Sequence, residues 1–322
     1  MHSKLVTLEE AAALVTNGAS VSVGGFTSQR HPTALLRTLV RRGVKELLLY
    51  CHSAGSDLDL LIGAGCVKRL EGAYLADGVF SPIAPNWRRF VEGGRIEFED
   101  YSNASMMARF AAGAMGLPFF PTKSLLGTDL LEKEGLASEV RRNDPRAASR
   151  KAATMTCPFT GEKVALVPAV RTDFCLLHVQ KASAKGLLRI EGQEFLDVQQ
   201  ALAAKTVIAT CEELLDDEEL RRDPERNRIP PFVVQAVAHV PWGGHPHSVH
   251  NYYDYDPEHL TLFARAARSD DSFRAYLDRF VFGTPTHEAY LDEVGGEGKQ
   301  HLLRARSGLG YNPELKRKST EI

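Results

Sequence analysis

VSVGGFTSQRHPTALL, residues 21–36, decides how this chain is read. A β-branched run ends on two adjacent glycines. A polar segment follows, and Pro32 then opens a pattern of Leu35, Leu36, Leu39 and Val40 at helical spacing. That is a strand, a tight corner and a helix. Working outward, the same alternation recurs. Residues 46–51 read as an apolar strand, 57–62 as a short helix and 68–74 as a strand. Residues 85–92 read as a helix, 95–99 as a strand and 102–115 as a small-residue helix. Repeated β-α units of this size predict an α/β fold, an open and mostly parallel sheet with flanking helices.

Further strands are expected at 164–167, 174–179, 207–211 and 232–239, and helices at 197–204, 257–267 and 271–280. Between the two halves, GLPFFP at 116–121 breaks the pattern, and the charged residues 132–153 read as a loop or flap. The expected organisation is one composite α/β domain over 1–302, with an irregular excursion at about 130–160 and a polar, mobile C-terminal tail over 303–322. At the N-terminus, Thr7 with Glu10 three residues on marks a capped helix rather than an apolar leader.

The 322 residues are 43% hydrophobic and 25% charged, with a net charge of −2. No basic field points to nucleic acid or an anionic membrane. No apolar run approaches the ~20 residues that span a bilayer. A cytoplasmic location is the expectation. The five cysteines form no CxxC pair, so reduced thiols are expected rather than a disulfide framework or zinc cluster.

In open α/β sheets ligands collect beyond the carboxyl ends of strands. Gly24-Gly25-Phe26 and the segment 51–57 (CHSAGSD) should therefore lie side by side. Neither G-x-G-x-x-G nor a P-loop is present, so the glycines admit two readings, a ligand-lining corner or a tight turn without ligand. Cys51 next to His52 is not read as a nucleophile, since strand neighbours point to opposite faces. Residues 243–250 carry three histidines in a Gly- and Pro-rich setting, read as an irregular loop rather than a metal site. The acidic run 211–219 reads as a solvated helix start rather than an acid-base pair. No G-x-S-x-G or HExxH occurs. The loops suggest a cleft, yet the chain offers no complete catalytic set.

At VSVGGFTSQRHP the sequence resembles the A (α) subunits of class I CoA-transferases, those of the glutaconate type above all. The resemblance continues through LLIGAGCVKRLEGAY, FEDYSNASM, GLPFFP, QKASAKGLLRI, TCEELLDDEELRRDPERNRIP and HPHSVHNYYDYD, nearly the whole chain. It implies a hetero-oligomer, A2B2 or larger, in which a CoA-transferase B (β) subunit is the partner and the active site lies between the two kinds of subunit. The nucleophile is then a glutamate of the B subunit, no catalytic residue lies on this chain, and no metal or organic cofactor takes part. Coenzyme A enters as an acyl-CoA substrate, and a dicarboxylic acid such as glutaconate accepts it.

On that basis Gly24, Gly25, Phe26, Ser28, Arg30, Ser53, Ala54, Gly55 and Asn103 are the expected substrate-binding residues, with Arg30 gripping a distal carboxylate. Around Leu75 and Gly78 the chain departs from a polar, serine-bearing pattern, which opens the question of the acid. Ring hydrolases on this scaffold carry a glutamate where Asn103 stands. Two alternatives are kept, a decarboxylase of glutaconyl- or methylglutaconyl-type CoA and a non-catalytic ligand-binding module.

Overall fold

A computed structural model describes residues 2–316. The strands are β1 (Ser20–Val23), β2 (Leu47–Ala54), β3 (Val67–Leu75), β4 (Glu97–Asp100), β5 (Phe119–Thr122), β6 (Ala153–Thr156), β7 (Lys163–Pro168), β8 (Thr172–Ala182), β9 (Leu188–Arg189), β10 (Ala204–Leu214) and β11 (Val234–His239). Seven of them form one parallel sheet in the order β11-β10-β8-β1-β2-β3-β4, and β9 adds an antiparallel rung to β8. The chain runs outward from β1 to β4, then returns to place β8 on the other flank of β1. The strand order therefore reverses between β1 and β8, and such a switch point opens a crevice at the carboxyl edge.

Helices cover both faces, as the sequence predicts. The first five are α1 (Leu8–Ala13), α2 (Thr33–Arg41), α3 (Ser56–Gly63), α4 (Pro85–Glu92) and α5 (Asn103–Ala114). Alternation along β2 sorts the core. Leu47, Leu49 and Cys51 pack with α2 and α3, whereas Leu48 and Tyr50 pack with Met106 and Phe110 of α5. Burying each such aliphatic side chain is worth ~1.5–3 kcal/mol. The capping box at α1 forms as read, with Glu10 N donating to Thr7 Oγ1 at 3.1 Å and Thr7 N to Glu10 at 2.8 Å.

Three expectations are corrected. The excursion is ordered: β5, β7 and β6 form an antiparallel sheet, accompanied by helices Asp129–Glu132 and Ser138–Asn143. Two of its charges, Lys151 and Arg141, face inward, while most of the others are exposed. Lys151 is fully buried and donates to Asp100 at 2.8 Å and to the Lys133 carbonyl at 2.9 Å, while Arg141 pairs with Glu99. Polar anchors leave no apolar period for a sequence reading to find.

The tail packs as far as it is described. Leu303 and Leu315 join Trp242, Val249 and Tyr253 in a small core, and residues 317–322 lie outside the described residues. In the acidic run, the helix Asp217–Arg221 has the expected exposed start, but Glu212 belongs to β10. It is buried, accepting from Tyr253 at 2.6 Å and the Trp242 amide at 2.7 Å, beside His178 at 2.7 Å.

Ser102 caps α5 through Ser105 N at 3.1 Å and meets Ser124 of the excursion at 2.6 Å. Ser102→Ala is expected to destabilise the protein by about 1 kcal/mol, read as a lower urea midpoint at unchanged slope.

Candidate active site

β1 ends at Val23, and Gly24 N makes the last rung to the Leu176 carbonyl at 2.9 Å. Gly25 turns the chain at φ +96°. Phe26 and Gln29 then exchange backbone bonds of 3.0 and 2.9 Å around a tip formed by Thr27 and Ser28. Arg30 N donates to the Ser248 carbonyl at 2.7 Å, which ties the tip to the histidine loop, and α2 follows.

The bareness of the two glycines serves the protein itself. A methyl group on Gly24 would lie 2.2 Å from Asp197 Oδ1, inside van der Waals contact. Asp197, first residue of the helix Asp197–Ala203, accepts from Gly25 N at 3.0 Å. It also accepts from both terminal nitrogens of Arg30, at 3.2 and 2.7 Å. Arg30 further donates to the carbonyls of His178 and Gln193, at 3.2 and 3.1 Å. Its side chain is 4% exposed. Arg30 is thus closed into a forked ion pair beneath the corner, and the grip on a distal carboxylate expected from sequence is corrected to a positioning role.

The second loop repeats the device. A methyl group on Gly55 would lie 1.9 Å from Asp77 Oδ1 and 2.9 Å from the Thr27 carbonyl, so the two loops touch here. Gly55 N donates to Asp57 at 2.7 Å and Ser56 N to Asp77 at 2.8 Å. Between the loops lies a buried charge cluster. His31 Nδ1 faces the Gly24 carbonyl at 2.8 Å and Asp57 at 2.9 Å, and its Nε2 faces the Thr27 carbonyl at 2.9 Å. Carbonyls only accept, so both ring nitrogens donate and the ring is an imidazolium.

Burial opposes that charge, but the adjacent Asp57 carboxylate holds His31 above the ordinary histidine value. Burial likewise opposes ionisation of Asp57, and the His31 cation keeps it below the ordinary carboxyl value. Asp77 is pushed up to about 7, first by burial and then by Asp57. His247, pulled down to about 3 by burial and by the His31 cation, stays neutral. It meets Thr33 Oγ1 and Ser56 Oγ at 3.0 Å each. Donor atoms of His31, Asp57 and His247 lie within 4.8 Å of one another, a spacing a metal ion could bridge. Here the histidine nitrogens already face protein partners.

Of the expected residues, Gly24, Gly25, Arg30, Ser53, Ala54 and Gly55 are buried at this junction, and Phe26 and Ser28 stand half-buried on its rim. Phe26 stacks on Phe195 with ring centroids 4.6 Å apart and lies 5.6 Å from His52, which burial keeps below the ordinary histidine value. Ser53 Oγ is buried without a partner. Asn103 stands apart, exposed at the start of α5 beyond edge strand β4, two strands from β2.

Cys51 is buried and its thiol is pushed up to about 12, an inert setting. The histidine loop is held by hydrogen bonds: His245 meets Tyr290 at 2.8 Å and Asp256 at 3.2 Å. The sequence reading missed His31, Asp57, Asp77, Phe195 and Asp197. One available signal was Asp57 and Asp59 set among Leu58, Leu60 and Leu61, acids placed where a core helix was expected.

Comparison with known proteins adds to this geometry. A family model described as coenzyme A transferase matches residues 5–239. The chain belongs to the coenzyme A transferase family. It is 36% identical over 315 residues to the A subunit of glutaconate CoA-transferase from Acidaminococcus fermentans, covering 97% of this chain and 98% of that one. The crystal structure of glutaconate coenzyme A-transferase from the same organism superposes with a TM-score of 0.93, over 98% of this chain and 100% of the matched chain. The A subunit of 3-oxoadipate CoA-transferase from Pseudomonas knackmussii is 34% identical, over 92% of this chain and 100% of its own. The C56S variant of the decarboxylase AibA/AibB is more distant, 29% identical with a TM-score of 0.66, over 86% of this chain and 100% of that one. The α/β sheet and its order are thus those of a CoA-transferase subunit, which sets aside the non-catalytic binding module.

Two outcomes test the junction. Arg30→Ala leaves Asp197 buried without its cation and is expected to cost about 3–5 kcal/mol of stability in chemical denaturation. Arg30→Lys recovers only part, because a point charge cannot reproduce the fork. Asp77 binds its proton more tightly folded than unfolded, so it removes stability as pH rises from about 4 to about 7. Asp77→Asn is expected to flatten that limb of the stability-pH curve, while the acid limb below pH 4 keeps the contribution of Asp57.

Proposed function

We propose that this chain is the A subunit of a heteromeric CoA-transferase that moves CoA between an acyl-CoA and a dicarboxylic acid such as glutaconate. The near full-length similarity to the A subunit of glutaconate CoA-transferase carries the reading. The site chemistry supports it. The carboxylates at the junction, Asp57, Asp77 and Asp197, are buried and each accepts a backbone N–H, so none is free to attack a thioester. A nucleophile supplied by a partner fits that arrangement.

In this reading a glutamate of the B subunit attacks the acyl-CoA carbonyl and expels CoA thiolate, giving a mixed anhydride. The thiolate then attacks the glutamyl carbonyl, releasing the first acid as its carboxylate and leaving a glutamyl-CoA thioester. The second acid takes the CoA by the reverse steps. No organic cofactor or metal enters.

This chain contributes a wall and donors. The amides of Gly24, Gly25 and Phe26 are engaged within the corner, whereas those of Thr27 and Ser28 have no acceptor among the described residues. They are the amides at the tip that can meet a developing oxyanion, an interaction worth ~3–4 kcal/mol in a water-excluded site. Phe26, Phe195 and His52 form the aromatic side of the cleft. His52, kept neutral by burial, adds no cation that would quench an incoming carboxylate. Val79 and Ile83, on the segment after β3, are 62% and 47% exposed at the same edge, an apolar surface for the B subunit to cover. In this reading the assembly is A2B2 or larger. Five free cysteines suit a cytoplasmic setting.

The chain alone is expected to be inactive and the complex active. Mass spectrometry of the complex after incubation with glutaconyl-CoA should find CoA attached to a glutamate of the B subunit. Decarboxylation without an adduct would favour the lyase reading, and an adduct on this chain would overturn the divided site.

A further inference from the structure

Away from the carboxyl edge, the groove between the excursion and the α5 face of the sheet encloses a cavity of about 420 Å³. It lies toward the amino edge: Ala169, Val170 and Arg171 lead into the first residue of β8, and Arg146 donates to the carbonyl of Gly18, ahead of β1, at 2.7 Å. Three guanidiniums line it, those of Arg109, Arg146 and Arg171, against the single carboxylate of Glu71.

Their states differ. Arg109 is buried and occupied, with Glu71 at 2.7 Å, the Pro168 carbonyl at 3.0 Å and the Tyr101 ring at 4.1 Å. Arg146 is drawn partly to Asp144 at 3.1 Å. Arg171 is exposed and has no hydrogen bond or ion pair among the described residues. The second observation is Tyr50. It is 6% exposed and lines the cavity from the middle of β2, yet its hydroxyl has no partner among the described residues. The ring is buried but the hydroxyl opens onto the cavity, so a ligand or ordered water held there is its natural complement. Burial, with Glu71 nearby, raises its pKa well above the ordinary tyrosine value, so it is a donor at neutral pH.

We propose that this cavity binds a small phosphate-type oxyanion. The Tyr50 hydroxyl donates from the floor and the Arg171 guanidinium closes from the rim, while Arg109 and Arg146, each held on its own carboxylate, form the polar walls. A phosphate oxygen accepts from both donor types, and a fork of N–H groups matches two of its oxygens. Arg109 and Arg146 already face Glu71 and Asp144, so a neutral ligand would leave the Arg171 guanidinium unmatched. Free phosphate and the phosphate of a monoester share this chemistry.

The test is isothermal titration of inorganic phosphate into the full-length protein in its assembly, at constant ionic strength with chloride as the balancing anion. Saturable binding is expected, weakened about tenfold or more by Arg171→Gln and by Tyr50→Phe. CoA-transfer rates in phosphate-free buffer should be unchanged in both variants. A second arm uses glycerol 3-phosphate. Tighter binding than phosphate assigns an organic ester and equal binding assigns the free ion, and either ranking supports the site when it is lost in both variants. Phosphate binding that is absent from the wild type, or equal in wild type and variants, overturns the proposal.

Discussion

The seat of Asp197 on the backbone of Gly24 and Gly25 holds the two halves of the sheet in register at the crevice. β1 and β8 are neighbours in the sheet but are separated in sequence by the whole excursion. A carboxylate brought in by the helix after β9 closes that junction. It accepts one backbone N–H and the fork of Arg30, with side chains 4% and 0% exposed. Burying two charges is favourable only when geometry and hydrogen bonding are nearly complete, and here both oxygens and both terminal nitrogens are used. Because the carboxylate occupies the space of the missing Cβ, the glycine and the ion pair require one another.

The second loop sets Asp77 against Gly55 in the same manner, and the His31 imidazolium joins the loops by donating to carbonyls of the first while facing Asp57 of the second. Protons alternate through this cluster. His31 and Asp57 are charged, and His247 is neutral, held down first by burial and then by the cation beside it. Asp77 is pushed up to about 7, first by burial and then by the Asp57 anion. Each group limits its neighbour's charge, so the corner holds its His31–Asp57 pair rigidly with little net buried charge. That rigidity fixes where the Thr27 and Ser28 amides point. Preorganised dipoles of this kind need no reorientation as charge develops on a substrate.

Periodicity carried the parallel sheet, because its strands and helices bury apolar stripes that local sequence displays. Residues 85–92 were legible to the residue, since Pro85 opens that helix and Gly93 caps it. The excursion escaped because it is pinned by Lys151 on Asp100 and by Arg141 on Glu99, charges that look solvated until their partners are known. The site was legible in place but less so in role. Strand-end loops pointed to the crevice, and the glycines announced a close approach. Nothing within a few residues of Gly24 could announce that the approaching group is Asp197. Arg30 misled for the same reason: its partner lies 167 positions away, so a buried cation read as a free one.

A thioester-attacking carboxylate must be desolvated yet left without a cation or a full set of donors, since each of these lowers its nucleophilicity. A chain folding alone cannot easily bury such a group, because an unpaired buried charge costs several kcal/mol and is relieved by taking up a proton. The junction acids follow that rule: Asp57 is paired with a histidinium, Asp197 with a guanidinium, and Asp77 sits near its proton-binding midpoint at pH 7. A second subunit escapes the constraint. Its carboxylate can stay hydrated through folding and lose water only when the aromatic wall of Phe26 and Phe195 closes over it, with association supplying the free energy of desolvation. On the proposed reading, the division of the active site between two polypeptides is therefore a consequence of the nucleophile chosen, and the paired charges of the junction in this chain are its complement.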